Sequence, residues 1–278
     1  MSSNTLSKNE APKLKRYVTD FLAFGFKQAY ACIFGGALLF GILASKFLWQ
    51  ESWTLARYDF LFIYAIFIQF LLILFKLESW KEARIILVFH VIGTVMEIFK
   101  THVGSWYYPE ENLIRLGGVP LFSGFMYSAV GSYMARVWRI FDFSFDNYPN
   151  KMLTAILCAL IYINFFTHHY VPDIRIALFV FCGALYLKSN VKFTPRKHTY
   201  KMPLLFGFFL VSIFIWLAEN IGTFGSIWVY PSQSKEWHIV PLSKLGSWFL
   251  LMIISFVLVT FLHNSNNHLS EKKRDGEN

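Results

Sequence analysis

Charged residues are scarce in this chain, at 15% of the whole, well under the roughly 25% of soluble domains. Hydrophobic residues fill the difference at 55%, with 19% aromatic, and such a composition excludes an ordinary water-soluble globule. Acidic side chains are the scarcer sign, 17 against 26 basic, for a net charge of +9. Cysteine is limited to Cys32, Cys158 and Cys182, each inside an apolar run. That excludes a disulfide framework or a thiolate metal centre and leaves small packing residues. Histidines are too few for a histidine-box enzyme, and His168-His169 has no carboxylate at ligand spacing, so the pair reads as interfacial. No metal and no cofactor is called for. The nine prolines all fall in tails, loops or the first turns of apolar segments; Pro120, Pro172, Pro203 and Pro241 suit a first helical turn, and the spans should be largely unkinked.

What the chain does have is long apolar runs. Eight candidate spans lie at about 28–48, 56–76, 84–100, 117–137, 151–169, 172–188, 203–220 and 239–262, each near the ~20 residues that cross a bilayer core. The fold class expected is therefore all-α, a polytopic membrane helical bundle. With both ends on one side, that side collects eighteen Lys and Arg, including Lys15, Arg16, Arg136, Arg139, Arg196 and Lys197, while the opposite loops hold seven. This positive-inside bias places both termini in the cytoplasm of a cell (inner) membrane protein. The basic charge reports topology and calls for no nucleic acid; the partners implied are the lipid bilayer and a lipophilic small molecule. The first 19 residues carry no small-residue cleavage site before the first span, which reads as a retained helix, and the tail from Asn264 reads as disordered.

One pattern occurs twice. "EIFKTHVGSWYYPE" begins at Glu97 and "ENIGTFGSIWVYPS" at Glu219. An offset of 122 carries Glu97, Thr101, Trp106, Tyr108 and Pro109 onto Glu219, Thr223, Trp228, Tyr230 and Pro231 without a gap. Both copies run on into Val-Pro-Leu, at Val119 and Val240. Span one maps onto five and three onto seven, so the simplest account is a duplicated four-helix unit. Four is even, which makes the repeats parallel about an axis along the membrane normal. The expected division is a polar tail at 1–20, repeats at 21–142 and 143–263, and a tail at 264–278.

"GTVMEIFKTHVGSWYYPE" followed by "GGVPLFSGFMYSAVGSYMAR" resembles the signature of an uncharacterised bacterial membrane family, the YoaT type, domain of unknown function 817. The resemblance implies a multi-pass membrane protein and brings no established activity. A more distant likeness is to carotenoid-pathway membrane enzymes, the heterodimeric lycopene cyclases and bacterioruberin-type hydratases. These also show an acidic residue, an aromatic W-x-Y or Y-x-Y element and a helix opened by Pro-Leu. The cyclases follow Pro-Leu with paired glutamates, where this chain has Phe122-Ser123 and Ser243-Lys244.

His90, Thr94, Glu97 and Thr101 recur at helical spacing and form one polar stripe, as do Ser212, Trp216, Glu219 and Thr223. A carboxyl in a membrane helix is costly unless it faces protein or water, so two at equivalent positions make a site hypothesis. The candidate catalytic set is Glu97 and Glu219 with His90 and Arg115, which the repeat does not duplicate; the candidate substrate-binding set is Trp106, Tyr108, Trp228 and Tyr230. The bland readings are loop capping or pairing with Arg115 or Lys244 for the glutamates, and an interfacial belt for the aromatics. Gly124, Ser128 and Ser132 read as a close-packing face. A membrane-embedded enzyme or lipophile binder is preferred to a proton-coupled transporter, because the unusual residues gather on one side. A non-catalytic sensor or partner protein stays open.

Overall fold

The computed structural model describes residues 10–50 and 52–275, with side chains from 13 to 261, so the expected tails at 1–20 and 264–278 lie partly outside the described residues. The chain opens with α1 (Glu10–Ala31) and α2 (Ile33–Leu48), which meet at Cys32 with a bend of 63°. This corrects the expectation of one unkinked span over 28–48. Neither proline nor glycine marks the break. Tertiary anchors turn the chain instead: Lys27 Nζ donates to the carbonyls of Ile140 (2.6 Å) and Thr194 (3.0 Å), and Tyr200 donates to Asp20 at 2.7 Å.

Next come α3 (Arg57–Leu74) and α4 (Trp80–His102). Ser79 opens α4 with a capping box: its hydroxyl accepts from the Glu82 amide and the Glu82 carboxylate from the Ser79 amide. Strands β1 (Arg115–Leu116) and β2 (Val119–Pro120) form a hairpin turned by Gly117 and Gly118 at φ 57° and 83°, a conformation that glycine adopts without a Cβ clash. Then follow α5 (Ser123–Phe141), β3 (Ser144–Asp146), α6 (Lys151–Thr167), α7 (Arg175–Tyr186), β4 (Asn190–Phe193), β5 (Tyr200–Pro203), α8 (Leu204–Phe224) and α9 (Ser243–Asp275). β3, β4 and β5 make an antiparallel sheet in that order. The fold is thus mostly helical rather than purely so, because two inter-helix connections pair with each other. Lys192 and then Lys201 hydrogen-bond Asp146 on the sheet and hold its carboxyl below the usual range.

Among the described residues, α3, α8 and α9 over Ser243–Phe261 are long and apolar enough to cross a membrane, and the bent α1–α2 pair would make four. That is fewer than the eight expected. α6 and α7 are apolar but short, and α4 carries Lys81, Glu82, Arg84, Glu97 and Lys100 along its length.

α4 packs on α5 and α8 on α9, with α2 against α3 and α6 against α7. Small residues make the first contact close. A Cβ on Gly124 would lie 2.5 Å from Thr94 Oγ1, and one on Gly93 would lie 2.6 Å from the Tyr127 ring. Ser128 donates to the Ile86 carbonyl and Ser132 to Glu78. Beside them Arg136 and Glu78 pair at 3.1 Å with both side chains at 0% exposure; removing one partner of such a pair leaves an uncompensated buried charge.

Candidate functional site

The two helices that carry the repeated glutamates each end in a loop that folds back over its own acid. Glu97, on the last turns of α4, is 3% exposed. Its Oε2 accepts from Trp106 Nε1 and from the Tyr108 hydroxyl, both at 2.7 Å. Its Oε1 accepts from the Tyr127 hydroxyl of α5, also at 2.7 Å. Glu219, near the end of α8, is likewise 3% exposed. Its Oε1 accepts from the Tyr230 hydroxyl and its Oε2 from Trp248 Nε1 of α9 at 2.6 Å. The Glu-to-Tyr bond spans eleven residues in both copies.

The loops also hold each other. Tyr107 and Val229 form an isolated antiparallel bridge, each amide donating to the other's carbonyl at 3.1 and 2.9 Å; their numbers differ by the same 122 as the two glutamates. The Trp106 and Tyr230 rings meet edge-on with centroids 6.0 Å apart. One ring contact therefore joins the donor of one carboxylate to the donor of the other. The N-terminus of α3 fastens the assembly. Arg57 donates to Ser45 Oγ, Glu110 and the Gly225 carbonyl, and Tyr58 donates to the Ile227 carbonyl. Asp59 accepts from Asn112 and from the amides of Leu113 and Ile114. Buried Ile42, Leu61, Val119, Phe122 and Val240 pack together with Tyr58, Tyr108 and Tyr230 of this layer.

The sequence-derived candidates do not all meet. Glu97, Trp106 and Tyr108 form one hydrogen-bonded group, and Glu219 and Tyr230 another. Trp228 stands apart from its counterpart Trp106: it makes no bond to Glu219 and lies over Gly222, where an added Cβ would fall 2.3 Å from the indole. Trp248 takes the place at Glu219 that Trp106 holds at Glu97. His90 sits two turns from Glu97 with its ring 4.4 Å from that of Phe125, and its Nδ1 is buried without a partner. Arg115 bonds Glu111 at 2.5 Å and the Gly118 carbonyl.

Four further residues belong to this region. Tyr127 and Trp248 come from α5 and α9; they miss the 122 offset by one position and match at the 121 that relates Val119 to Val240. Lys100 is 3% exposed, donates to His169 Nε2 at 2.9 Å and lies 4.1 Å from the Phe165 ring. Lys244 sits 4.3 Å over the Tyr230 ring. An apolar cleft of about 740 Å³ between α2 and α3, walled by Phe40, Gly41, Trp49, Phe60 and Tyr64, shares no lining residue with the glutamate groups.

Chemically, the donors differ in kind. An indole N–H donates and cannot accept, whereas a tyrosine hydroxyl turns to do either. Oε2 of Glu97 and Oε2 of Glu219 each face an indole, while Oε1 of each faces a hydroxyl that can reverse. A proton arriving at either acid is therefore accommodated on Oε1, with Tyr127 or Tyr230 rotating to accept.

The family described as a protein of unknown function (DUF817) matches residues 20–256, and the chain belongs to it. The uncharacterized protein YoaT of Bacillus subtilis (strain 168) is 40% identical over 247 residues, 89% of this chain and 93% of that protein. Among solved structures, the crystal structure of a cross-linked MvINS trimer is 10% identical with a TM-score of 0.49, over 66% of this chain and 95% of that one.

Proposed function

We propose that this DUF817 protein is a multi-pass membrane protein of about eight spans, built as two parallel four-helix repeats at 21–142 and 143–263 with both termini cytoplasmic. The helix order supports it: adding 122 carries α4 nearly onto α8, α5 onto the first part of α9 and α2 onto α6. Leu87, Val91 and Val95, four apart on α4, are exposed, as expected of a lipid-facing stripe despite that helix's charges. The bridge between Tyr107 and Val229 suits a twofold axis that passes between them.

Within that frame the paired glutamates serve a lipid or isoprenoid-like substrate, with Glu97 and Glu219 as proton-handling groups and the Trp-x-Tyr-Pro loops as the cover of the site. The observation that carries this reading is the pair of membrane-helix carboxyls, each held by one fixed and at least one reversible donor and joined through Trp106 and Tyr230. A reversible donor is what a group that gains and loses a proton requires. His90 and Arg115 are then supporting groups around the first copy. A non-catalytic lipophile-binding role is the second reading, favoured by the three donors that already occupy Glu97.

The test compares lipid extracts by mass spectrometry from cells expressing wild type, Glu97→Gln or Glu219→Gln, in a host that makes the protein natively. Accumulation of one isoprenoid or lipid species in both variants is the expected result. Identical profiles with equal protein levels would move the assignment from enzyme to binder.

A further inference from the structure

On the opposite side from the glutamate loops, α1 and the turn between β4 and β5 line an open surface cavity of about 360 Å³. Lys15 and Arg16 line it from α1, and Arg196, Lys197 and His198 from the turn. Two lysines and two arginines thus line one cavity, with Asp20 as the single carboxylate in the lining among the described residues. Asp20 is itself occupied, accepting from Tyr200 at 2.7 Å and facing His198 Nδ1 at 3.0 Å. Arg16 Nε is buried and has no hydrogen-bond partner among the described residues, and its guanidinium lies 4.9 Å from the Tyr17 ring. The four cations therefore exceed what the local acid neutralises, and at least one donor waits for an acceptor.

The helix on which Lys15 and Arg16 stand has a second unusual face. Leu14, Val18, Phe21 and Leu22 follow one another at helical spacing and are 66%, 49%, 73% and 65% exposed. The other face of α1 is fixed to the protein: Phe24 meets Phe141 and Phe193, Tyr133 donates to Gln28, and Lys27 reaches across to Ile140 and Thr194. A rigidly held helix with a bare apolar stripe, a basic flank and a bend into the first membrane-spanning segment has the character of an interfacial helix lying at headgroup depth. The stripe and the cavity are independent observations, and both are on the same three turns.

We propose that this cavity binds the headgroup of an anionic glycerophospholipid whose acyl chains lie along Leu14, Val18, Phe21 and Leu22. The phosphate oxygens accept from Arg16, Arg196 and Lys197, arginine supplying planar paired donors. The open cavity has room for a phosphate with its glycerol while the acyl chains remain outside it. The apolar stripe favours a lipid over a free anion, since a soluble phosphate leaves those four side chains in water. Basic clusters of this kind beside membrane helices recognise acidic headgroups.

The test uses the full chain, delipidated in neutral detergent and titrated with phosphatidylglycerol, phosphatidylcholine or inorganic phosphate. Retained lipid is counted by native mass spectrometry and stabilisation is followed by thermal shift. One phosphatidylglycerol retained per chain, with phosphatidylcholine retained far less, is the expected result. Arg16→Gln combined with Arg196→Gln weakens retention by about 30-fold at low salt, for two basic groups near the surface. The charge-matched control Lys81→Gln with Arg84→Gln leaves it unchanged. Thr19→Trp, which fills the cavity and keeps every charge, also lowers retention and covers the case in which the double variant misfolds. Equal weakening by the control pair, equal retention of phosphatidylcholine, or stabilisation by inorganic phosphate matching that by phosphatidylglycerol would each overturn the proposal.

Discussion

Replacing Glu97 tests whether its carboxyl is held as an acceptor or as a charge. Three donors meet its two oxygens, Trp106 and Tyr108 on one and Tyr127 on the other, in a site 3% exposed. Glu97→Ala strands all three, and each buried donor left unpaired costs about 1–3 kcal/mol. Allowing for water entering the vacated volume, the loss is about 3–5 kcal/mol. Glu97→Gln is different in kind. Its carbonyl oxygen keeps Trp106 and Tyr108, and its amide nitrogen donates to Tyr127, whose hydroxyl turns to accept; the loss is about 1 kcal/mol, the scale of a rearranged hydrogen bond. Tyr127→Phe in the Gln background should then cost less than in wild type, because the bond it removes is the weaker one. The assay is reversible denaturant unfolding in detergent, followed by tryptophan fluorescence, since Trp106 reports on this site. Equal losses for Ala and Gln would refute the acceptor reading and show that the negative charge itself holds the loop.

The remaining predictions are independent of that result. Reporter fusions at Glu111 and Gln233 should give an outward signal and fusions at either terminus a cytoplasmic one; a cytoplasmic signal from either loop breaks the eight-span proposal. Arg136→Met should destabilise by about 3–5 kcal/mol, whereas Arg136→Met with Glu78→Leu should recover most of the loss, because the cost is an unpaired buried charge; additivity of the two in a denaturation cycle would contradict this. Gly222→Ala should displace the Trp228 indole, which lies 2.3 Å from the new Cβ, and cost about 1–3 kcal/mol as overpacking; an unchanged midpoint would mean the ring is free to move. Asp146 has a folded pKa below its ordinary value, so its contribution is present above about pH 4 and is lost as pH falls through the folded value. The gap in melting temperature between wild type and Asp146→Asn should therefore close in acid, and a gap that widens would reverse the sign.

The equivalence of Glu97 with Glu219 and of Tyr108 with Tyr230 was legible in the sequence because the segment between them repeats without a gap, but the bond from each tyrosine to its own glutamate was not read there, the tyrosines being assigned to substrate. The other partners of the glutamates were not legible either. Tyr127 and Trp248 approach from the neighbouring helix, and they align only at the offset of 121 that Val119 and Val240 set, one residue short of the 122 that relates the glutamates. The break at Cys32 was illegible because the groups that hold α1 in place, the carbonyls of Ile140 and Thr194 and the Tyr200 hydroxyl, are distant in sequence. No local residue announces it. The β3–β4–β5 sheet escaped notice because its strands are short and β3 pairs with a strand more than forty residues away. Helix composition was legible and span number was not: apolar runs were counted as eight spans, whereas α6 and α7 are short and α4 carries Lys81, Glu82 and Arg84, of which Glu82 pairs with Arg139 at 3.0 Å.

The bridge between Tyr107 and Val229 has a consequence for how the protein is made. At about 5–20 residues per second, the ribosome reaches residue 229 some 6–25 s after it has finished residue 107. Throughout that interval the first loop has its glutamate, its tryptophan and its tyrosine in hand and lacks the strand that closes it. An amide and a carbonyl that face water tolerate such a wait; the same two groups inside hydrocarbon would not. Biogenesis therefore runs on a clock set by the spacing of the repeat, with the N-terminal half held unfinished until its counterpart emerges. A chain stalled between the two loops should leave the Tyr107 amide free to exchange with solvent, where the finished protein holds it on the Val229 carbonyl.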